Sequence, residues 1–159
     1  MPLRRGAVRF AVQSHTPQPY QRCYCSICRK TAGGGGYAIN LGADNRTLKI
    51  DDPEKAIGVY RAEIREDDGA CQVSSGERNH CTRCATALWL YDPNWPDLIH
   101  PFSSAIDSPL PVPPSSVHLM LDFKPDWVEL QVKDGDARFG RYPEESIDDW
   151  HRARGLWVE

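Results

Sequence analysis

Arg22-Cys23-Tyr24-Cys25-Ser26-Ile27-Cys28-Arg29-Lys30 places three cysteines within a six-residue window. A Cys-x-x-Cys turn aims two sulfurs at one metal ion about 2.3 Å away. Cys25 and Cys28 have that spacing, and Cys81-Thr82-Arg83-Cys84 repeats it. Residues i and i+2 of a strand share a face, so Cys23 can converge with Cys25. Two arrangements follow. Cys25, Cys28, Cys81 and Cys84 can close a four-thiolate, structural zinc site. Alternatively, Cys23, Cys25 and Cys28 form a three-thiolate site with its fourth position free, as a catalytic zinc requires. The sixth cysteine, Cys71, stands apart and reads as a small packed hydrophobe. Clustering favours metal over disulfides, as does the reducing compartment argued below.

The next residues are Thr31-Ala32-Gly33-Gly34-Gly35-Gly36-Tyr37. Gly33, Gly34, Gly35 and Gly36 let the backbone approach a ligand with its N–H groups exposed. Arg29 and Lys30 beside three thiolates offset charge and suit a carboxylate. No Gly-Lys-Ser/Thr follows the glycines, so a nucleotide loop is excluded.

Further out, short apolar runs alternate with Gly, Pro, Asn and Asp. Strands are expected at 7–12, with Val8, Phe10 and Val12 on one face, and at 20–25, 37–41, 48–50, 57–60, 70–73, 87–91 and 127–132. So many short strands imply a mainly β fold. Pro109, Pro111, Pro113 and Pro114 make 106–116 an extended surface connection. A C-terminal helix is expected over about 143–154. Pro143 suits its first position, Glu144 and Glu145 its N-terminus, Arg152 and Arg154 its last turn, and Gly155 its stop. Ile147 and Trp150 lie i, i+3 on one face. No repeat or linker divides the chain, so residues 1–159 read as a single zinc-binding domain, its core about 6–132.

The 159 residues are 40% hydrophobic, with 19 basic against 22 acidic side chains, net −3. That balance suits a globular protein and gives no basic field for nucleic acid. No run approaches the roughly 18 apolar residues of a membrane helix, and no apolar run follows Arg4 and Arg5 as in a signal peptide. The cytoplasm is the expected location. Among the histidines, His100 and His118 sit in apolar surroundings and read as core or pocket residues. His80 reads as a neighbour of the second cysteine pair or as exposed, and His15 and His151 as surface.

Residues 22–33, with Cys-x-Cys-x-x-Cys-Arg-Lys, resemble the first motif of the glutathione-dependent formaldehyde-activating enzyme family. Residues 78–89 resemble its second cysteine motif, Gly6-Ala7-Val8-Arg9-Phe10 its opening strand, and 114–121 with Trp127 its closing region. The likeness covers about 6–130. It implies a β-tent fold of short antiparallel strands, zinc as cofactor, and a small thiol, glutathione, as partner. It also implies a carbon–sulfur lyase-type enzyme whose product class is S-hydroxymethylglutathione. Cys23, Cys25 and Cys28 take the catalytic site, and Cys81 and Cys84 half of a structural one. The family completes that second site with an earlier Cys-x-Cys, where this chain has Leu3 and Arg5, and it has glycine where this chain has Ala85. The alternative reading is a non-catalytic zinc-stabilised binding domain or a glutathione carrier. An exchangeable fourth zinc position separates the two readings. The physiological substrate, the number of zinc ions and the oligomeric state are not legible in the sequence.

Overall fold

A computed structural model describes residues 6–32, 34–65 and 69–159, so Leu3, Arg5 and Gly33 lie outside the described residues. The chain is mainly β. In order it forms β1 (Arg9–Ala11), β2 (Gln21–Cys23), α1 (Ser26–Thr31), β3 (Ala38–Ile39), β4 (Ala43–Asp44), β5 (Lys49–Asp51), β6 (Ile57–Arg65) and β7 (Cys71–Cys81). Then come β8 (Ala87–Tyr91), β9 (Leu98–Pro101), β10 (Val117–Leu119), β11 (Ala137–Arg138) and α2 (Ile147–Ala153). No described helix is long and apolar enough to cross a membrane.

Five strands make one antiparallel sheet in the order β4-β9-β8-β7-β6, and four make a second, β11-β10-β2-β3. The remaining pair is β1 with β5. The expected antiparallel pattern fails at β10, which runs parallel to both β2 and β11. These neighbours are joined by long excursions rather than hairpins, and such connections are what parallel pairing needs.

Two apolar cores flank the five-stranded sheet. One gathers Tyr20, Cys23, Cys28, Phe102, Leu119 and Trp150, with Leu90 of β8 packed against it. The other gathers Ala43, Ala56, Cys81, Leu88, Trp89 and Ile99, against which Val8, Phe10 and Val12 pack as their shared face predicts.

Three expectations need correcting. The stretch 127–132 is not a strand. Val128 N–H bonds back to Pro125 O at 3.1 Å, and the Lys124 ammonium takes the Val128 carbonyl at 2.8 Å, so the groups a ladder needs are used locally. The runs at 57–60 and 70–73 are only parts of β6 and β7, a long hairpin continued by polar residues such as Ser74, Ser75 and Glu77. Cys71 begins that ribbon beyond the reach of β8, and is exposed rather than packed.

The C-terminal helix starts later than Pro143 suggests. Ser146 caps it by accepting from Asp149 N–H at 3.1 Å, with Asp148 and Asp149 in the first turn. Trp150 is 1% exposed and stacks on Tyr20 with ring centroids 3.7 Å apart.

His151, expected at the surface, is fully buried. Its Nδ1 donates to Ile147 O at 2.7 Å, and its Nε2 accepts from Gln18 N–H at 3.2 Å. Burial depresses its pKa, against the Ile147 bond and Asp148, with Arg154 adding to the depression. The unfolded chain therefore binds more protons below pH ~6.5, and this stability is present above that pH and lost as pH falls. We expect the melting temperature to drop as pH falls below 6.5, with a shallower slope in His151→Gln. Equal slopes in a calorimetric pH series would refute this role for His151.

Candidate metal centre

β2 delivers Cys23 from a sheet, the bend at Cys25 opens α1, and α1 carries Cys28 back toward them. Cys25 caps α1: its Sγ accepts from Cys28 N–H at 3.3 Å. The three Sγ atoms lie within 4.8 Å of one another. Tetrahedral zinc with 2.3 Å bonds needs sulfurs about 3.8 Å apart, so the donor set fits with a small contraction. Cys23 and Cys28 are buried and Cys25 is half-buried, so the centre opens at Cys25.

Without a metal the three thiols share protons. Hydrogen bonds from Cys23 and Cys28 pull Cys25 down to about 2, against burial and with help from the Cys28 and Ile27 N–H groups. Cys23 is pushed up by its bonds with Cys25 and Cys28 and by burial. For Cys28 the bond with Cys23 lowers, but the bond with Cys25 and burial outweigh it, holding the thiol up at about 11.

Tyr24 points away from its cysteine neighbours into a buried polar chain. Its hydroxyl lies 2.9 Å from His118 Nδ1, and His118 Nε2 faces Asp136 Oδ2 at 3.4 Å. A carboxylate only accepts, so Nε2 carries the proton and Nδ1 accepts from Tyr24. Burial lowers the His118 pKa although Asp136 opposes it, consistent with a neutral ring. Asp136 also accepts from Ser116 N–H at 2.6 Å and Lys133 N–H at 2.9 Å. Tyr24 N–H bonds to Leu119 O at 3.1 Å. The loop between Cys23 and Cys25 is thus fastened by both backbone and side chain to residues 116–136.

Arg29 and Lys30, in the last turn of α1, line an open depression of about 360 Å³. Gly34, Ala85, Thr86, Ala87 and Ser104 also line it. Of the other expected glycines, Gly35 and Gly36 do not. Gly36 has φ +90° and is covered by Val128, whose Cγ2 would lie 2.4 Å from a Cβ there. Its role is backbone packing. The second cysteine pair lies elsewhere: Cys81 is in the other core, Cys84 is exposed, and neither joins the three-sulfur cluster. The four-thiolate arrangement is therefore not assembled among the described residues. Ala85 has φ +58° and donates its N–H to Cys81 O at 2.7 Å, so it holds a left-handed conformation that glycine adopts without strain.

Three neighbours of the centre carry no cysteine signature. Asn40 Nδ2 approaches Cys28 Sγ at 3.9 Å, while its Oδ1 is buried without a partner. The Nε atoms of Arg22 and Arg78, like that of the expected Arg29, are also buried without partners. Arg22 and Arg78 adjoin the two cysteine groups in sequence, the one signal that could have singled them out. His80 packs its ring against Gly58.

Three comparisons bear on this site. The family model described as "Glutathione-dependent formaldehyde-activating enzyme" matches residues 5–120. A protein of Halomonas elongata, provisionally named a glutathione-dependent formaldehyde-activating enzyme, is 59% identical over 151 residues, 95% of this chain and 92% of its own length. A crystal structure of a Rhodobacter sphaeroides protein overlaps 67% of this chain and 85% of its own, with 19% identity and a TM-score of 0.48, too distant to add to the fold described above.

Proposed function

This chain belongs to the family of glutathione-dependent formaldehyde-activating enzymes, and from that premise we propose that Cys23, Cys25 and Cys28 hold zinc in an open site for a carbon–sulfur lyase-type reaction of glutathione with formaldehyde. The observation that carries the reading is the cluster of three sulfurs within 4.8 Å, with no further His, Cys, Asp or Glu among the described residues joining it. Zinc, when bound there, would supply the Lewis acidity that keeps an added thiol ionised near neutral pH.

The chain's own residues do the rest. Cys25 gives the centre its solvent-facing side. Arg29 and Lys30 bind glutathione carboxylates, with Gly34 beside them. The depression these side chains share with Ala85, Thr86 and Ala87 is wide enough for a peptide-sized ligand. Tyr24, through His118 and Asp136, keeps the Cys23–Cys25 backbone at its angle. Cys81 and Cys84 form a separate two-thiolate position that binds metal weakly, with half of a structural site's ligands.

Glutathione is then expected to bind the zinc-loaded protein with release of a proton, more tightly as pH rises. Calorimetry in two buffers of different ionisation enthalpy measures that proton. The release should vanish with S-methylglutathione and in Cys23→Ser. Wild-type protein that binds the thiol and its S-methyl analogue equally would rule out the open site.

A further inference from the structure

Arg78 is 9% exposed, and among the described residues it has no carboxylate partner. Six other arginines, 9, 46, 61, 83, 141 and 154, each pair with an acid, all of them more exposed. Arg78 Nε is buried without a partner, and Nη1 reaches only Gly76 O, at 3.5 Å. A buried guanidinium without an anion is costly, so a fold that keeps one has an anion for it in another state.

Register shows which face Arg78 occupies. Arg78 stands opposite Tyr60 and Leu90, and Leu90 opposite His100, so the four share one face of the five-stranded sheet. Leu90 on that face packs against the core holding Cys23 and Cys28. Gly76, on the same strand face, leaves room for the guanidinium: a Cβ there would lie 3.6 Å from Arg78 Nη1 and 3.1 Å from Leu90. His100 on this face adds no competing charge, because burial lowers its pKa despite the bond its Nδ1 donates to Leu41 O.

Resting on the metal reading above, we propose that Arg78 is a buried counter-charge of the three-cysteine centre. Three thiolates around one divalent ion leave one negative charge in excess, and an added thiolate makes two. Arg78 offsets that excess from the opposite sheet and so raises the affinity of the centre for zinc. It is a positioning residue and is not itself a ligand.

The test measures two quantities in wild type, Arg78→Met and Arg78→Lys: zinc affinity by competition with a chromogenic chelator at fixed pH and salt, and melting of the metal-free protein. Arg78→Met should weaken zinc binding roughly 10- to 100-fold, and Arg78→Lys should stay within about threefold of wild type. Metal-free Arg78→Met should melt at or above metal-free wild type, because an unpaired buried cation has been removed. Should Arg78→Met not fold, Arg78→Gln is the neutral variant. A neutral variant that holds zinc as tightly as wild type overturns the proposal. So does equal loss in the lysine variant, or a metal-free neutral variant that melts earlier. Wild type that binds no zinc overturns the metal reading itself, an outcome distinct from these.

Discussion

Stripping zinc from the protein with a strong chelator is expected to lower its melting temperature sharply. The reason lies in how little else holds the cysteine loop. α1 has six residues, well below the ~12–15 at which a helix is stable alone in water. Its N-terminus is capped by one proposed ligand, Cys25, and its single buried residue is another, Cys28. Zinc in the proposed centre would therefore be folding energy for this segment, on the order of 10 kcal/mol where a site is purely structural and less where one position stays open. Cys23 and Cys28 also belong to the first core, so losing the metal leaves polar thiols in an apolar cluster. Superimposable melting curves for zinc-loaded and stripped protein would dismiss the centre as a structural element.

Trp150→Ala should be the most damaging core substitution, at about 3–5 kcal/mol, read from the urea midpoint at constant slope. Trp150 stacks on Tyr20 and sits edge-on to His151, and the Arg154 guanidinium lies over its ring at 4.5 Å. No neighbouring element can collapse into the space, because Tyr20 is fixed by Val117 N–H donating to its carbonyl at 2.9 Å. A loss under 1 kcal/mol would mean that α2 is only draped on the surface.

Much of the candidate site was legible in the sequence, because cysteine spacing is a local property. Cys23, Cys25 and Cys28 converge through one strand step and one helical turn, both computable from the chain alone. The separation of Cys81 and Cys84 was not legible: a Cys-x-x-Cys turn has the same signature in either core. Strand β8 was read at its true limits from five consecutive apolar residues, whereas the middle of the β6–β7 hairpin carries Glu, Ser and Arg and gave no periodic signal. His151 looked like a surface residue because its neighbours, Asp149 and Arg152, are polar; the acceptor its Nδ1 uses is local, but the Gln18 donor on its Nε2 is 133 residues away. Partners that distant, like the one Arg78 lacks, have no trace in local pattern.

The parallel seam between β2 and β10 has a consequence for the order in which the molecule is made. Tyr24 and His118 are separated by 94 residues. Closing a flexible loop of that length costs about 4 kcal/mol of chain entropy before any contact offsets it. At ~5–20 residues per second, the ribosome takes roughly 5–18 s from Cys28 to His118. The three clustered thiols leave the ribosome about 90 residues before His118, part of the frame that sets their geometry. Under the proposed metal reading, final closure of the three-sulfur site waits until His118 and Asp136 have been made.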